Sequence, residues 1–197
     1  MKKEQLEDLL LQALETELGG VQIYTTALQC VQNGDLREEW EEYLEQTKHH
    51  LEVVRDLIDE LSFDAEKMTP TREVVHHIGE SLVEAMAMAK KNAPAAAAEI
   101  VACECVVLAE TKDHANWELM AQCAKKAKGE EAKALKAAVN EIEDEEDEHL
   151  YHSKGWCREL AIAALGMKAV LPPPEEEKDV KTAIGASRAQ QAREEML

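Results

Sequence analysis

Residues that interrupt helices are scarce in this chain. Its 197 residues include only eight glycines, five prolines and a single phenylalanine, whereas alanine, leucine, glutamate and lysine are frequent. This composition is typical of a helical protein and predicts an all-α fold. With 45% apolar residues the chain can enclose a substantial core, and its length suits one domain with a tail.

Basic residues are also in short supply. Lysine and arginine together number 22 against 41 aspartates and glutamates, which gives a formal net charge of −19 at pH 7. Nucleic-acid phosphates and anionic membranes would repel such a surface, so we expect neither as a partner. The same charge favours solubility and can concentrate cations.

Long apolar runs and a disulfide framework are missing as well. No stretch of ~18 uninterrupted apolar residues occurs, so no membrane-spanning helix is expected. The N-terminal sequence MKKEQLEDLLLQALETEL lacks the apolar run and cleavage site of a secretory signal. The five cysteines are odd in number and lie within helical patterns, which indicates reduced thiols. Together these features predict a cytoplasmic protein.

Apolar residues recur at helical spacing in five segments. The segments cover about 4–32, 35–61, 69–91, 95–126 and 131–165. Short turns join the first to the second and the fourth to the fifth, so each pair is predicted to form an antiparallel hairpin. The long crossover between the hairpins contains the third helix. We therefore predict a four-helix bundle over 1–166, followed over 167–197 by a proline-containing linker and a polar tail that is either disordered or a peripheral helix.

Each of the four long helices carries polar side chains within its apolar stripe. In the first helix the stripe is apolar except for Glu17, and a carboxylate in a core costs several kcal/mol unless it is compensated. In the second helix, His50 lies in the stripe, whereas His49 faces solvent. The metal-ligand candidates are Glu17, His50, Glu104, Glu110, His114, Glu146 with Glu145 as its alternative, His149 and His152.

Several of these candidates are predicted to lie at one depth in the bundle. Because an α-helix rises ~1.5 Å per residue, residues equidistant from a hairpin turn lie at the same level. Counting from the first turn brings Glu17 close to His50, and counting from the second brings Glu110 level with His149. We therefore expect a single layer of acids and imidazoles in the core.

Such a layer needs a cation. Buried glutamates repel one another and have to be protonated or neutralised. Divalent iron or manganese would neutralise them, since carboxylate and imidazole ligands suit both ions and bridging carboxylates can hold a dinuclear site. Zinc held by cysteines is excluded because the cysteines do not cluster at ligand spacing. We expect iron or manganese, in a dinuclear or a mononuclear site.

Two motifs resemble those of the ferritin-like superfamily, which includes ferritins, rubrerythrins and manganese catalases. Glu17 is followed seven residues later by Tyr24, and the sequence EDEH at 146–149 has the form Glu-x-x-His. The resemblance extends over roughly 4–165, with Glu110 as a lone glutamate. It implies a ferritin-like bundle with a dinuclear iron or manganese centre that reacts with oxygen or peroxide. No Cys-x-x-Cys pair supports a rubredoxin module, so a full rubrerythrin is excluded.

One motif departs from the pattern of this superfamily. Three residues before His50 stands Thr47, and four before it stands Gln46, so the second Glu-x-x-His is incomplete. The site could then be mononuclear, or a second metal ion could have fewer ligands. Alternatively, His114 and Glu104 substitute from the fourth helix.

Two functions are compatible with the sequence. The first is a metalloprotein with oxidoreductase chemistry, such as peroxide disproportionation or ferrous-iron oxidation, whose partners are metal ions and a small oxidant. The second is a non-catalytic structural or partner-binding module that keeps a buried polar network. We also expect a homodimer.

Overall fold

The computed structural model describes residues 1–197, which form seven helices and no strands. The helices are α1 Lys3–Ala27, α2 Gly34–Glu60, α3 Pro70–Asn92, α4 Ala95–Lys126, α5 Gly129–Ala164, α6 Pro174–Glu177 and α7 Ala183–Met196. One hairpin consists of α1 and α2, the other of α4 and α5, and α3 lies in the crossover. The predicted all-α, ferritin-like bundle is therefore confirmed. None of the helices combines the length and the apolar character needed to cross a membrane.

The connection between α1 and α2 starts earlier than the sequence pattern predicts, because α1 ends at Ala27. Glu99 of α4 accepts hydrogen bonds at Oε1 from the backbone N–H groups of Gln32 and Asn33, both at 2.7 Å. The Asn33 side chain in turn caps α2 by accepting from the Leu36 amide at 3.1 Å. A buried carboxylate from another helix thus satisfies the backbone where the chain leaves α1.

Two apolar clusters fill the bundle on either side of a polar layer. The first cluster includes Leu10, Leu14, Leu57, Trp117 and Leu135, and the second includes Tyr24, Trp40, Met86, Cys103 and Trp156. Burial of each large apolar side chain contributes about 1.5–3 kcal/mol. The clusters can therefore offset a layer in which each buried charge costs several kcal/mol.

The crossover helix α3 packs against α1 and α4. Arg72 donates from Nε to Glu15 Oε2 at 2.8 Å, and both side chains are buried. The same guanidinium donates from Nη1 to the Ala65 carbonyl oxygen at 2.6 Å. Because the buried charge is both paired and hydrogen-bonded, it can fix α3 against α1 without leaving an uncompensated ion.

The C-terminal segment, residues 167–197, folds back onto α5. The buried Glu175 carboxylate accepts two hydrogen bonds from the Arg158 guanidinium, at 2.7 and 2.9 Å. Glu159, which is completely buried, accepts from Arg158 Nε at 2.8 Å and lies 2.6 Å from Arg193 Nε. Of the two forms predicted for the tail, residues 183–196 adopt the peripheral helix.

Gly155 permits the close docking of this segment. A Cβ atom at Gly155 would lie 2.8 Å from Glu175 Oε2 and 3.2 Å from Pro173 Cβ. Alanine normally stabilises a helix interior by about 1 kcal/mol relative to glycine, but here its methyl group would displace the docked carboxylate. We predict that Gly155→Ala increases the rate of tryptic cleavage within the C-terminal segment several-fold, as measured by limited proteolysis.

Gly34→Ala is the matched control, since a Cβ atom at Gly34 meets nothing within 4 Å. This variant is expected to be cleaved at the wild-type rate. If Gly155→Ala is also cleaved at the wild-type rate, the docking contact has no part in holding the segment.

Candidate metal centre

Five of the predicted residues meet in the layer between the two apolar clusters. Their exposed fractions are only 0 to 4%, and they are Glu17, His50, Glu110, Glu146 and His149. The ligand atoms of His50, Glu146 and His149 lie within 4.8 Å of one another. A second triad with the same spacing consists of Glu17, Asp113 and Glu146. Because Glu146 belongs to both triads, its carboxylate can bridge two metal ions.

Glu110 adds a fourth carboxylate beside the histidine triad. Its Oε2 atom lies 3.7 Å from His149 Nδ1, and Glu146 Oε1 lies 3.8 Å from the same nitrogen. The buried Tyr24 ring meets the His149 ring edge-on at 6.0 Å between centroids. The layer thus contains four carboxylates and two imidazoles, with an aromatic side chain packed against it.

The Nδ1 atoms of both imidazoles face the layer and have no hydrogen-bond partner. His149 donates from Nε2 to Gln46 Oε1 at 2.8 Å, and His50 donates from Nε2 to Glu145 Oε2 at 2.8 Å. With the proton of each ring on Nε2, where these oxygens can accept it, the Nδ1 lone pair is available to a metal ion, and His50 Nδ1 lies 2.8 Å from Glu146 Oε1. Metal-binding histidines are commonly oriented by such a bond to the far nitrogen. Glu145, which the sequence analysis gave as the alternative to Glu146, therefore lies on the side of the His50 ring that faces away from the layer.

Seven atoms of the layer that could bind a metal ion have no hydrogen-bond partners. These buried atoms are Glu17 Oε2, Glu110 Oε2, Asp113 Oδ1, both carboxylate oxygens of Glu146, His50 Nδ1 and His149 Nδ1. Buried polar atoms are nearly always paired in folded proteins, so a group of unpaired atoms facing one another needs an explanation. Bound cations would explain the unpaired atoms, because carboxylate oxygens and imidazole nitrogens are ligands that suit iron and manganese. The side chains present therefore fit a metal centre.

The carboxyl groups of the layer cannot hold their charges unaided. Burial, and after it repulsion by Asp113, raises the pKa of Glu17 well above its usual 4.5. Burial and the charge of Glu146 likewise raise the pKa of Asp113 well above 3.8. Burial, followed by repulsion from Glu110, raises the pKa of Glu146 to about 8. Binding of divalent cations would oppose these shifts and release the protons.

Asp113 is a ligand candidate that the sequence analysis missed. It is 6% exposed and lies on α4 one turn after Glu110. The predicted stripe stepped four residues from Glu110 to His114, whereas the helix turns the third residue inward. The i,i+3 spacing that Glu110 and Asp113 share with Glu146 and His149 is the signal that could have identified it.

Thr47 occupies the place where α2 lacks a glutamate. Its hydroxyl donates to the Tyr43 carbonyl oxygen at 2.8 Å within the same helix. A Cβ atom on Gly20 would come within 3.0 Å of Thr47 Cγ2, so α1 and α2 approach closely here and a short side chain at position 47 is favoured. The additional carboxylate of the layer comes from α4 through Asp113.

Three predicted residues lie outside the layer. Glu104 is exposed, because its position on α4 directs it away from the core between two buried cysteines. His114 is 16% exposed, and its Nε2 lies 2.7 Å from Asp147 Oδ1. His152, one turn beyond His149, faces a separate pair of glutamates. For Glu104 and His114, the rotation of α4 about its axis, which the sequence specifies only approximately, directs the side chain elsewhere, whereas His152 lies one turn too far along α5.

A cavity of about 270 Å³ opens to the surface beside the layer. It reaches Glu146 and Trp117, and Trp117 donates from Nε1 to Glu17 Oε1 at 3.2 Å. The other lining residues are His114, Glu118, Glu143, Asp147, Tyr151, Thr182 and Ala183. Since Thr182 and Ala183 belong to the C-terminal segment, that segment forms one wall of the route to the layer.

The raised pKa of Glu146 predicts how the stability of the metal-free protein depends on pH. Above its ordinary pKa of 4.5 and up to about 8, the folded chain keeps a proton on Glu146 that the unfolded chain has released. The free energy of unfolding of metal-free protein should therefore fall as pH rises through this range, by at most about 1.4 kcal/mol per pH unit for each retained proton. Chemical denaturation after chelation measures the slope.

Glu146→Gln is the control for this pH dependence, because a neutral amide neither gains nor loses a proton. The difference between the two stability curves reports the proton on Glu146 together with the effect of its charge on the pKa values of Glu17 and Asp113. Parallel curves, or a wild type that gains stability relative to the variant with rising pH, would contradict the assignment.

Most of the chain matches a known protein family. Residues 12–170 match the family described as "Ubiquinone biosynthesis protein COQ7", while no curated protein and no solved structure matches the chain significantly. The matched range includes every residue of the layer and ends near the start of the C-terminal segment. COQ7 is a family of di-iron carboxylate proteins within the ferritin-like superfamily. With most of its length matched, this chain belongs to the COQ7 family.

Proposed function

We propose that this protein is a di-iron enzyme that uses oxygen to oxidise an organic substrate. The observation that carries the proposal is the presence of four buried carboxylates, which would balance the charge of two divalent ions while both imidazoles bind as neutral ligands. A single divalent ion would leave two buried negative charges uncompensated, at a cost of several kcal/mol each. A non-catalytic polar network would be expected to pair its own donor and acceptor atoms. The family favours iron over manganese.

The proposed ligands divide between the two triads. One ion would be held by Glu17, Asp113 and Glu146, and the other by His50, Glu110, His149 and the shared Glu146. Bound iron supplies the electrons that reduce oxygen or peroxide. Tyr24 keeps its hydroxyl proton because burial, and then Glu110, raises its pKa well above 10, so it can donate a hydrogen bond within the layer.

The cavity provides the proposed position of the substrate. Trp117 and Tyr151 offer apolar ring surfaces along it, and an aromatic substrate can pack against them. Since the family is described by its part in ubiquinone biosynthesis, we propose a quinone precursor with an unsubstituted ring carbon. One oxygen atom of O₂ would enter that C–H bond, and the other would become water with two protons and two electrons from an external two-electron donor.

A second candidate function is the oxidation of ferrous iron. The cavity also carries the carboxylates of Glu118, Glu143 and Asp147, which attract cations towards Glu146. In this case Fe²⁺ would enter through the cavity as the substrate, and no organic product would form.

Asp113 is the ligand whose replacement tests the dinuclear arrangement most selectively. We predict that Asp113→Asn lowers the iron content from about two ions per chain to about one, because it removes a charged ligand from only one triad. Elemental analysis of protein loaded anaerobically with Fe²⁺ measures the change. The metal-free variant should also gain stability relative to metal-free wild type, because one buried carboxyl group is gone.

Glu104→Gln is the matched control on the same helix. It removes the same charge from an exposed residue and should leave both the iron content and the stability unchanged. Retention of two iron ions by Asp113→Asn would show that Asp113 is not a ligand.

The cavity wall offers a test of substrate access that leaves the metal ligands intact. We predict that Ala183→Trp lowers the rate of hydroxylation of a water-soluble benzoquinol at least tenfold, with unchanged iron content, because the indole fills the route to Glu146. Mass spectrometry after reaction under ¹⁸O₂, in the presence of a reductant, should show one labelled oxygen atom in the product of the wild type.

Ser187→Trp places the same bulk on an exposed position of α7 outside this cavity and should preserve the rate. Oxygen consumption that depends on Fe²⁺ alone, without a labelled organic product, would favour ferrous-iron oxidation. Absence of both reactions in iron-loaded protein would contradict an enzymatic role.

A further inference from the structure

A second cluster of metal-binding side chains lies where the C-terminal segment meets the bundle. It consists of Glu39 from α2, His152 from α5 and Glu176 from α6, whose ligand atoms lie within 4.8 Å of one another. His152 Nδ1 is 3.1 Å from Glu176 Oε1 and 3.9 Å from Glu39 Oε1. Three separate helices thus converge on one point with one imidazole and two carboxylates.

This cluster is distinct from the layer in the core. None of its three residues belongs to either triad there. Tyr43 separates the two, since its ring lies 4.1 Å from that of His149 while its hydroxyl lies 3.0 Å from His152 Nδ1.

The facing atoms of the cluster are buried and incompletely paired. His152 is only 7% exposed, and neither Glu39 Oε1 nor Glu176 Oε1 has a hydrogen-bond partner. The other oxygen of Glu39 accepts from Trp156 Nε1 at 2.7 Å, which fixes the carboxylate with Oε1 towards His152. Unpaired carboxylate oxygens at the same buried point are costly unless a cation lies between them.

Charge decides which cation is suitable. A protonated His152 would balance only one of the two carboxylates, so without an ion the other has to keep its proton, and burial together with the charge of Glu176 raises the pKa of Glu39 to about 8. A divalent ion neutralises both carboxylates and leaves the imidazole neutral, which is the form in which it binds metals. Ligands of this type suit Zn²⁺, Fe²⁺ and Mn²⁺.

We propose that Glu39, His152 and Glu176 bind one divalent transition-metal ion that fastens the C-terminal segment to the bundle. Glu176 follows Glu175, whose carboxylate is already held by Arg158, so the ion would add a second attachment to the same short helix. Because Thr182 and Ala183 follow in the wall of the cavity, the ion would also stabilise that wall. This site does not depend on the reaction proposed for the core.

Zinc binding to metal-free protein tests the proposal. We expect the wild type to bind about three Zn²⁺ ions per chain and Glu176→Gln to bind about two, as measured by elemental analysis after gel filtration. Glu177→Gln is the matched control, since it makes the same change on the exposed neighbouring residue of α6 and should keep three. Equal zinc content in Glu176→Gln and wild type would overturn the proposal.

Limited proteolysis distinguishes a metal ion from a simple ion pair. With the proposed site, Zn²⁺ should slow tryptic cleavage after Lys178 and Lys181 several-fold in wild type and Glu177→Gln, but not in Glu176→Gln. With only an ion pair between His152 and Glu176, Zn²⁺ would leave the cleavage rates unchanged, and the proposal would be wrong.

Asp113→Asn separates this proposal from that for the core. This variant should lose zinc from the core yet keep the zinc-dependent protection of the C-terminal segment. Protection that disappears in Asp113→Asn would assign the effect to the core layer and would overturn the second site.

Discussion

Four carboxyl groups from three helices are buried at one level of this bundle, and their mutual repulsion constrains everything around them. Apolar clusters lie on both sides of the layer, so water screens the charges only weakly. The stability of those clusters makes the arrangement possible, and the unpaired donor atoms make cations the natural compensation. Because four negative charges match two divalent ions, the composition of the layer itself favours a dinuclear site.

The residues around the layer orient the side chains proposed as ligands. Gln46 and Glu145 accept hydrogen bonds from the far nitrogens of His149 and His50, which directs each Nδ1 atom inward. Trp117 donates to Glu17 and also lines the cavity. Such contacts orient ligands before a metal ion arrives, so less conformational freedom is lost on binding.

The sequence predicted the helices, the hairpins and most of the layer because these follow from the local geometry of an α-helix. Equal distances from the two turns located Glu17 close to the level of His50 and Glu110 level with His149 without any knowledge of packing. Rotation of a helix about its axis is less well specified by sequence, since apolar residues on α4 allow the stripe to pass through either Asp113 or His114. The end of α1 was also misplaced, because Glu99, which satisfies the backbone there, lies far along the chain.

The fold of the C-terminal segment was beyond the reach of sequence patterns for a similar reason. Its polar composition was compatible with disorder, and its attachments depend on Arg158 and Glu159 of α5. These contacts join residues whose pairing leaves no periodic signal. The segment lies mostly outside the range matched by the COQ7 family, yet it forms part of the route to the layer.

Crystallography of iron-loaded protein, with anomalous data collected on both sides of the iron absorption edge, tests the central claim most directly. Our account predicts two iron peaks in the core, one among Glu17, Asp113 and Glu146 and the other beside His50 and His149, with Glu146 contacting both. A single peak, or a core without iron in which the carboxylates pair with one another, would contradict it.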